Sequence, residues 1–195
     1  MCNNYRSHVD RARIEEAFGA LGLRVVYPEG VPNFEPRDDI RITDRAPIVR
    51  AGGVQGTAEL VQCRWSWPGP GGKPVYNFRA DGRALDRGRC LIVADGFYEY
   101  TAPADPKAKR KDKWLFTRPG EPLMCIAGLW RVDPQVGTAF TMLTCPPGPD
   151  IRPFHHRQVA VLPQGSWARW LDPAVPAGGL IGPLPAGSLE ATRVA

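Results

Sequence analysis

Residues 89–100 read RCLIVADGFYEY and carry the clearest structural signal in the chain. The first half is an unbroken apolar run, which is typical of a strand that is buried on both faces. Asp95 and Gly96 then introduce turn-forming residues, and Glu99 follows with a tyrosine on either side. We therefore predict a buried strand that runs into a turn and leads to an acidic residue in an aromatic setting.

Shorter β-prone runs, broken by proline and glycine, surround this stretch on both sides. The pattern predicts strands within residues 23–28, 40–51, 60–67, 75–82, 114–118, 123–132, 138–145, 155–163 and 189–195, and loops at 68–74, 102–113 and 145–154. We predict an α+β fold of mostly short antiparallel strands in a barrel-like curled sheet with a few short helices. No linker divides the chain, so residues 1–195 are predicted to form a single domain.

Two helices are predicted. The first covers residues 7–21, with Ser7 as its N-terminal cap and Gly22 as its stop. Its apolar residues recur at helical spacing, which favours a core-packing role over a functional one. The second, SWARWLDP at residues 166–173, is short and amphipathic.

The charge balance of the 195-residue chain is moderately basic, with a formal net charge of +5 and a pI near 9.1. Such a surplus suits a polyanionic partner such as nucleic acid and is equally compatible with simple solubility. No apolar run approaches the ~20 residues of a membrane span. The polar start MCNNYRSHVD does not have the pattern of a signal peptide. We expect a cytoplasmic monomer, associated with the nucleoid if bacterial, that has no membrane partner.

The five cysteines include no C-x-x-C pair, and their spacings match no zinc module. We therefore predict no metal site and no cofactor, and an odd number of cysteines in a reducing compartment argues against a disulfide framework. Cys90 and Cys125 lie in apolar runs, which is typical of inert core residues.

Cys2 differs from the other cysteines because of its position. The Met1–Cys2 bond is of the type that methionine aminopeptidases cut, and its cleavage would leave an amine and a thiol on adjacent carbons. The amine can attack an aldehyde to form a Schiff base, and the thiol can then close a five-membered thiazolidine ring. An α-amino group has a pKa of about 7.7–8.0 against about 10.4 for lysine, so it competes well for aldehydes at neutral pH.

Several separate motifs in the chain occur in the order found in the SOS-response-associated peptidase family. RCLIVADGFYEY at residues 89–100 resembles that family's R-C-(L/I)-(V/I)-P-A-D-G-F-Y-E-W. Its N-x-R-A-(E/D) element has a counterpart at residues 77–81, and its H-x-R element one at residues 155–157. The resemblance extends from MCNNY to the final LEATRVA.

The resemblance implies a catalytic role for each of four residues. Cys2 would be the covalent nucleophile toward abasic sites in single-stranded DNA, and Asn77 would orient its amine and the sugar. Glu99 would shuttle protons during Schiff-base formation, and His155 would assist ring opening at the sugar hydroxyl. The chemistry itself needs such groups, because ring opening, dehydration and ring closure each move a proton.

The same resemblance implies a set of DNA contacts. Arg79 and Arg157 match phosphate-holding positions, and Trp65 matches an aromatic on which a base or the sugar can lie. Pro47 and Thr144 match lesser contact positions. Arginines combined with aromatics are typical of single-strand binding, whereas no recognition helix for a duplex is evident.

The basic run at residues 107–113 and several departures from the family pattern affect the expected DNA footprint. The run can attract DNA without regard to sequence, or it can simply be a solvated loop. The family start M-C-G-R-(F/Y) reads MCNNY here, so Asn4 replaces an arginine that usually contacts DNA. The family's R-M-P-V-I-L reads RQVAVLP. These changes put the DNA footprint in question more than the chemistry.

Two alternatives remain open at this point. Cys2, His155 and Asn77 are also the residue types of a cysteine peptidase, which would need a peptide cleft and an oxyanion hole. A non-covalent single-stranded nucleic-acid-binding module would use the basic surface without Cys2. Strand cleavage by β-elimination is a further activity that the same Schiff base could support.

Overall fold

The computed structural model describes residues 2–103, 105, 107 and 109–195. Its strands are β1 (Asn4–Ser7), β2 (Arg24–Val26), β3 (Arg37–Arg41), β4 (Arg45–Ala51), β5 (Thr57–Trp65), β6 (Trp67–Pro68), β7 (Pro74–Val75), β8 (Asn77–Arg79), β9 (Arg89–Ala94), β10 (Gly96–Thr101), β11 (Asp112–Thr117), β12 (Met124–Asp133), β13 (Gly137–Cys145), β14 (Gln158–Val159), β15 (Val161–Leu162) and β16 (Glu190–Arg193). Its helices are α1 (Arg11–Gly19) and α2 (Trp167–Leu171), with 3₁₀ turns at Pro70–Gly72 and Gln164–Ser166.

A closed barrel forms the centre of the fold. Strands β13, β12, β9, β4 and β5 are hydrogen-bonded in that order, and an additional pairing between β13 and β5 closes the ring. A second sheet has the order β16-β11-β10-β1-β3. Within the described residues most strand pairs are antiparallel, and the parallel ones are β2–β5, β5–β13 and β8–β13. The predicted α+β class with a barrel-like curled sheet is confirmed.

The barrel wall separates two hydrophobic clusters. Cys90 and Ile92 belong to an inner core that also contains Trp65. Leu91 and Val93 point the other way, into an outer core that α1 and α2 cover. Since successive side chains of a strand face opposite sides, a wall with a core on both faces requires an unbroken apolar run. Every residue of β9 is buried, as its sequence predicts.

The chain passes from the barrel to the second sheet at Asp95 and Gly96. The Asp95 carboxylate forms an ion pair with Arg6 at 2.8 Å and accepts a hydrogen bond from the backbone N–H of His8. A Cβ atom on Gly96 would lie 2.7 Å from the Leu115 side chain and 3.1 Å from the Phe116 carbonyl oxygen, so the close approach of β11 favours glycine here. This junction ties β10 to β1, the strand that follows Cys2.

The prediction of a helix over residues 7–21 is wrong at its start. Residues 4–7 form β1, which pairs with both β10 and β3. The helix begins at Arg11, and Asp10 rather than Ser7 caps it by accepting a 2.8 Å hydrogen bond from the backbone N–H of Arg13. Pairing with two strands overrides the local capping signal of Ser7, which lies at the end of β1.

Candidate active site

Cys2 lies just before β1 and is 1% exposed within the inner core. Its thiol donates a hydrogen bond to the carbonyl oxygen of Asn4, with an Sγ–O distance of 3.1 Å. Burial raises the pKa of the thiol well above its ordinary value, and the nearby Glu99 carboxylate raises it further. The thiol is therefore held in its neutral form. Met1 itself lies outside the described residues.

Asn77 anchors the backbone of Cys2. Its side-chain Nδ2 donates a hydrogen bond to the Cys2 carbonyl oxygen at 2.7 Å. Asn77 begins β8, which runs parallel to β13 with Asn77 opposite Met142. The short strand thus fixes the amide in place. The structure thus brings Asn77 to Cys2.

Glu99 completes this contact set from β10. Its side chain is 1% exposed, and the backbone N–H of Cys2 lies near its carboxylate. Burial raises the pKa of Glu99 because desolvation penalises the charged form, and the nearby backbone N–H groups of Cys2 and Tyr100 offset part of that rise. The nitrogen that Glu99 contacts is the atom that removal of Met1 would convert into a free amine.

His155 approaches the same end of the second sheet through its neighbour Phe154. The Phe154 ring lies 4.9 Å from that of Trp114, and Trp114 stands opposite Glu99 in the β10–β11 register. His155 Nδ1 lies 3.0 Å from the backbone nitrogen of Arg157. Burial lowers the pKa of His155, which favours a neutral imidazole at neutral pH.

Arg157, Asp81 and Thr144 form a polar cluster behind β8. Arg157 Nη2 forms an ion pair with Asp81 at 2.6 Å and donates to the carbonyl oxygen of Thr144 at 2.8 Å. Thr144 is 1% exposed, so it presents no surface to DNA and instead positions Arg157. Arg79, by contrast, is exposed and has no ion pair within the described residues.

Trp65 does not offer the stacking surface that the resemblance implied. It is 0% exposed, and its indole N–H donates a 2.9 Å hydrogen bond to the carbonyl oxygen of Tyr76. Its backbone sits between two non-glycine residues with left-handed conformations, Thr43 (φ 83) and Ser66 (φ 89). The N–H of Thr43 donates to the Trp65 carbonyl oxygen at 2.9 Å. The indole faces the barrel interior because Trp65 lies on the same face of β5 as Val61 and Cys63.

Pro47 is also separated from Cys2. It alternates along β4 with Ala46 and Ile48, which both belong to the inner core that contains Cys2. Pro47 therefore points out of the barrel, where it lines a surface pocket with Ser7 and other residues of the β1–β3 region. Its position gives no direct contact with the site.

The sequence analysis did not predict a polar network that lies beside the site. Asn4 is 6% exposed, and its Nδ2 donates to Asp39 at 2.5 Å. Its Oδ1 accepts a 3.1 Å hydrogen bond from the Tyr100 hydroxyl. Both hydrogen-bonding ends of the Asn4 amide are thus engaged. The available signal was that Asn4 stands where the family pattern has arginine, together with the polar tip of Tyr100 directly after Glu99.

Within the described part of the chain, no group of three or more histidine, cysteine or acidic side chains is arranged to hold a metal ion. None of the described helices has the length and apolar character needed to cross a membrane. All five cysteines are buried and free of disulfides. Cys90 and Cys125 lie in the core with their thiol pKa values raised by burial, as expected of inert residues.

The sequence model of the family described as "SOS response associated peptidase (SRAP)" matches residues 1–195. No curated protein matches the chain. Among solved structures, a Bordetella bronchiseptica protein is 24% identical with a TM-score of 0.74, and 100% of each chain is covered. A Bacteroides thetaiotaomicron protein is 16% identical with a TM-score of 0.74, with coverage of 100% of this chain and 92% of that one. A phage-related protein of Bordetella bronchiseptica is 20% identical with a TM-score of 0.71, with coverage of 99% and 94%. At these identities the likeness shows a shared fold.

Proposed function

Because the chain belongs to the SOS response-associated peptidase family, we propose that it bonds covalently, through Cys2, to abasic sites in single-stranded DNA. Family membership by itself supports a peptidase-like protein associated with the SOS response to DNA damage. The proposal of a covalent bond between Cys2 and DNA rests above all on one observation. The Cys2 carbonyl oxygen accepts a 2.7 Å hydrogen bond from Asn77, while the buried Glu99 carboxylate lies near the backbone nitrogen and the thiol of Cys2.

The proposed reaction begins once Met1 is removed. The Cys2 amine adds to the aldehyde carbon of the opened deoxyribose to give a carbinolamine. Loss of water forms the C=N bond of a Schiff base. The thiol sulfur then bonds to the same carbon as the thiol proton passes to Glu99, and the nitrogen keeps the hydrogen of the protonated Schiff base. The product is a thiazolidine, and the overall change is addition of the DNA with loss of one water.

Glu99 suits the proton transfers of this sequence. A general acid–base group is most effective when its pKa lies near the working pH, and burial moves the pKa of Glu99 upward in that direction. Protonated Glu99 can give its proton to the departing hydroxyl of the carbinolamine. The resulting carboxylate can then accept the proton that the thiol loses. Because Glu99 lies near both the nitrogen and the thiol of Cys2, it is placed to take part in both proton transfers.

The raised pKa of the Cys2 thiol favours this order of events. A neutral thiol is a weak nucleophile, so the amine reacts first and the thiol closes onto the more electrophilic imine carbon. His155 has a lowered pKa and can act as a neutral base at the sugar hydroxyl during ring opening. Asn77 holds Cys2 so that the new amine stays beside Glu99.

Exposed Arg79 is the natural phosphate contact beside the site, since its guanidinium has no ion pair within the described residues. Arg157 is 11% exposed in its side chain and bound to Asp81 and Thr144, so we assign it mainly to positioning β8 and β13.

A peptidase would need a thiol with a lowered pKa and a base within hydrogen-bonding reach. The Cys2 thiol instead donates to a backbone carbonyl and has a raised pKa.

The direct test is the intact mass of Met1-free protein after incubation with a short single strand that carries one abasic site. We expect a species whose mass equals protein plus DNA minus one water, with the addition mapped to Cys2. Cys145→Ala, which removes another buried thiol, serves as the matched control and should react normally. Unmodified protein in a sample whose mass shows that Met1 is gone would overturn the proposal. Turnover of added peptides would then favour the peptidase.

A further inference from the structure

Three arginines form a row across the outside of the barrel. Arg45 of β4 stands opposite Arg64 of β5, and Arg64 pairs in register with Ala139 of β13. Ala139 in turn stands opposite Arg131 of β12. Because neighbouring strands lie about 4.8 Å apart, the row spans roughly 14 Å. We call Arg45, Arg64 and Arg131 the arginine row.

The side chains of the arginine row all face away from the inner core. Arg45 shares its face of β4 with Val49, and Arg131 shares its face of β12 with Leu129, which both contribute to the outer core. Arg45 and Arg131 are exposed, and Arg64 is partly exposed. The row therefore lies on the outer wall of the barrel and is accessible to a ligand.

The charges of the row are only partly compensated. Neither Arg45 nor Arg64 has a carboxylate partner within the described residues, although their guanidinium groups project from directly opposed positions. Like charges at such positions repel each other and destabilise the sheet. The Arg64 Nε is buried without a hydrogen-bond partner, and its Nη1 lies 3.4 Å from the carbonyl oxygen of Thr43. Arg45 Nη2 donates to the carbonyl oxygen of Gln62, so backbone carbonyls and not carboxylates hold both guanidinium groups.

The remaining arginine of the row adds an aromatic element. The Arg131 guanidinium lies 4.4 Å from the centre of the Trp67 ring and forms a 2.8 Å ion pair with Asp133. Nearby Arg37 is already neutralised by Asp44 at 2.6 Å. The uncompensated charge is therefore concentrated on Arg45 and Arg64.

A short chain of contacts connects the row to the candidate active site. Arg64 precedes Trp65, whose indole N–H donates to Tyr76. Tyr76 precedes Asn77, which holds Cys2. Arg64 is thus connected to the site through Trp65 and Tyr76, while its own side chain lies on the outer face of the barrel wall.

We propose that the arginine row binds the phosphates of the single-stranded DNA that extends beyond the abasic site, an inference that rests on the proposed function. Arginine forks match phosphate oxygens in geometry and charge. A single strand can bring successive phosphates to a curved wall because its backbone bends freely, and it needs no recognition helix. The row would add affinity without reading sequence, since phosphate contacts carry no sequence information.

The test is the salt dependence of binding to a long, undamaged single strand by the full-length protein. For single strands, the slope of log K against log salt is about −0.7 per neutralised phosphate. We expect the double variant R45Q/R64Q to show a slope shallower by about 1.4, which corresponds to two lost contacts. Arg24→Gln removes an exposed arginine of β2, beside the start of β5 and far from Arg64 at its end, and should leave the slope unchanged. R45K/R64K keeps the charges and should retain most of the slope.

The result that overturns the proposal is an unchanged slope in folded R45Q/R64Q. A second arm separates this failure from that of the proposed function. An abasic strand too short to reach the row should crosslink equally well to wild type and to R45Q/R64Q. If wild type forms no crosslink at all while the slope still depends on the row, the proposed function fails and the DNA-binding row stands.

Discussion

The side-chain amide of Asn77 donates a 2.7 Å hydrogen bond to the carbonyl oxygen of Cys2 and so joins residues 75 positions apart in the sequence. The backbone nitrogen of the same cysteine lies near the carboxylate of Glu99, which belongs to the second sheet. Side chains from two different strands therefore flank the main chain of Cys2. The Asn77 contact positions this residue through its carbonyl group and does not engage its nitrogen or its thiol.

Asn77→Ala should slow crosslinking without abolishing it. A single hydrogen bond contributes about 0.5–1.5 kcal/mol, so we expect a rate loss of up to about tenfold. The measurement is the single-turnover rate of crosslink formation with a short abasic strand. Asn33→Ala, at an exposed loop position, is the control and should react at the wild-type rate. A wild-type rate in Asn77→Ala would show that the contact with Cys2 has no role in positioning.

Glu99 should make the stability of the protein depend on pH. Burial raises its pKa in the folded state above the ordinary value, so the folded state binds the proton more tightly than the unfolded chain does. The free energy of unfolding is therefore expected to fall as pH rises from the ordinary glutamate pKa through the raised one. Glu99→Gln removes this contribution, and its Tm should rise relative to wild type above that window and match it below.

Thermal unfolding between acidic and neutral pH measures this difference. Glu29→Gln, which changes an exposed glutamate, controls for the loss of one negative charge. The prediction fails if the difference in Tm between Glu99→Gln and wild type is the same at acidic and neutral pH, because the Glu99 proton would then be bound equally in both states.

Trp65→Phe should reduce stability and leave DNA affinity intact. The substitution leaves a cavity in the inner core and removes the donor for the Tyr76 carbonyl oxygen. Together these losses cost about 2 kcal/mol, which urea unfolding can measure. Affinity for undamaged single-stranded DNA, measured well below the unfolding midpoint, should equal that of wild type. Weaker binding by a fully folded variant would restore Trp65 as a base-stacking residue.

Asn4→Asp should destabilise the protein much more than Asn3→Asp does. Asn4 is buried and donates to Asp39 at 2.5 Å, so a carboxylate there would face another carboxylate and lose the donor. The expected cost is on the order of 2 kcal/mol or more. The neighbouring Asn3 is exposed, and its substitution should change stability by less than about 0.5 kcal/mol. Equal urea midpoints for the two variants would contradict the network described here.

The parts of the fold that could be predicted from sequence are those that depend on local pattern. The unbroken apolar run in β9 predicted a strand that is buried on both faces, and Asp95 and Gly96 predicted the turn that follows it. The start of α1 could not be predicted, because the pairing of β1 with two distant strands overrides the cap signal of Ser7. The sequence pattern indicated where the turns lie, but it did not indicate which strands pair with each other.

The candidate site shows the same division. Motif order identified Cys2, Asn77 and Glu99, and the structure brings these residues together. Motif matching did not give the direction of Trp65, which follows from its place in β5 on the same inward face as Val61 and Cys63. The role of Asn4 was missed for a related reason, since its partners lie on other strands.

The measurement that tests the central claim most directly is a denaturing gel of Met1-free protein with labelled single-stranded DNA that carries one abasic site. Wild type should give a shifted band that survives heat and detergent, and intact DNA of the same sequence should give none. Cys2→Ser keeps an amine but cannot close the thiazolidine, so its stable band should be lost. Glu99→Gln should form the band about 10²-fold or more slowly, as expected for loss of a general acid–base group. A stable band of undiminished intensity in Cys2→Ser, or no band with wild type, would contradict the account.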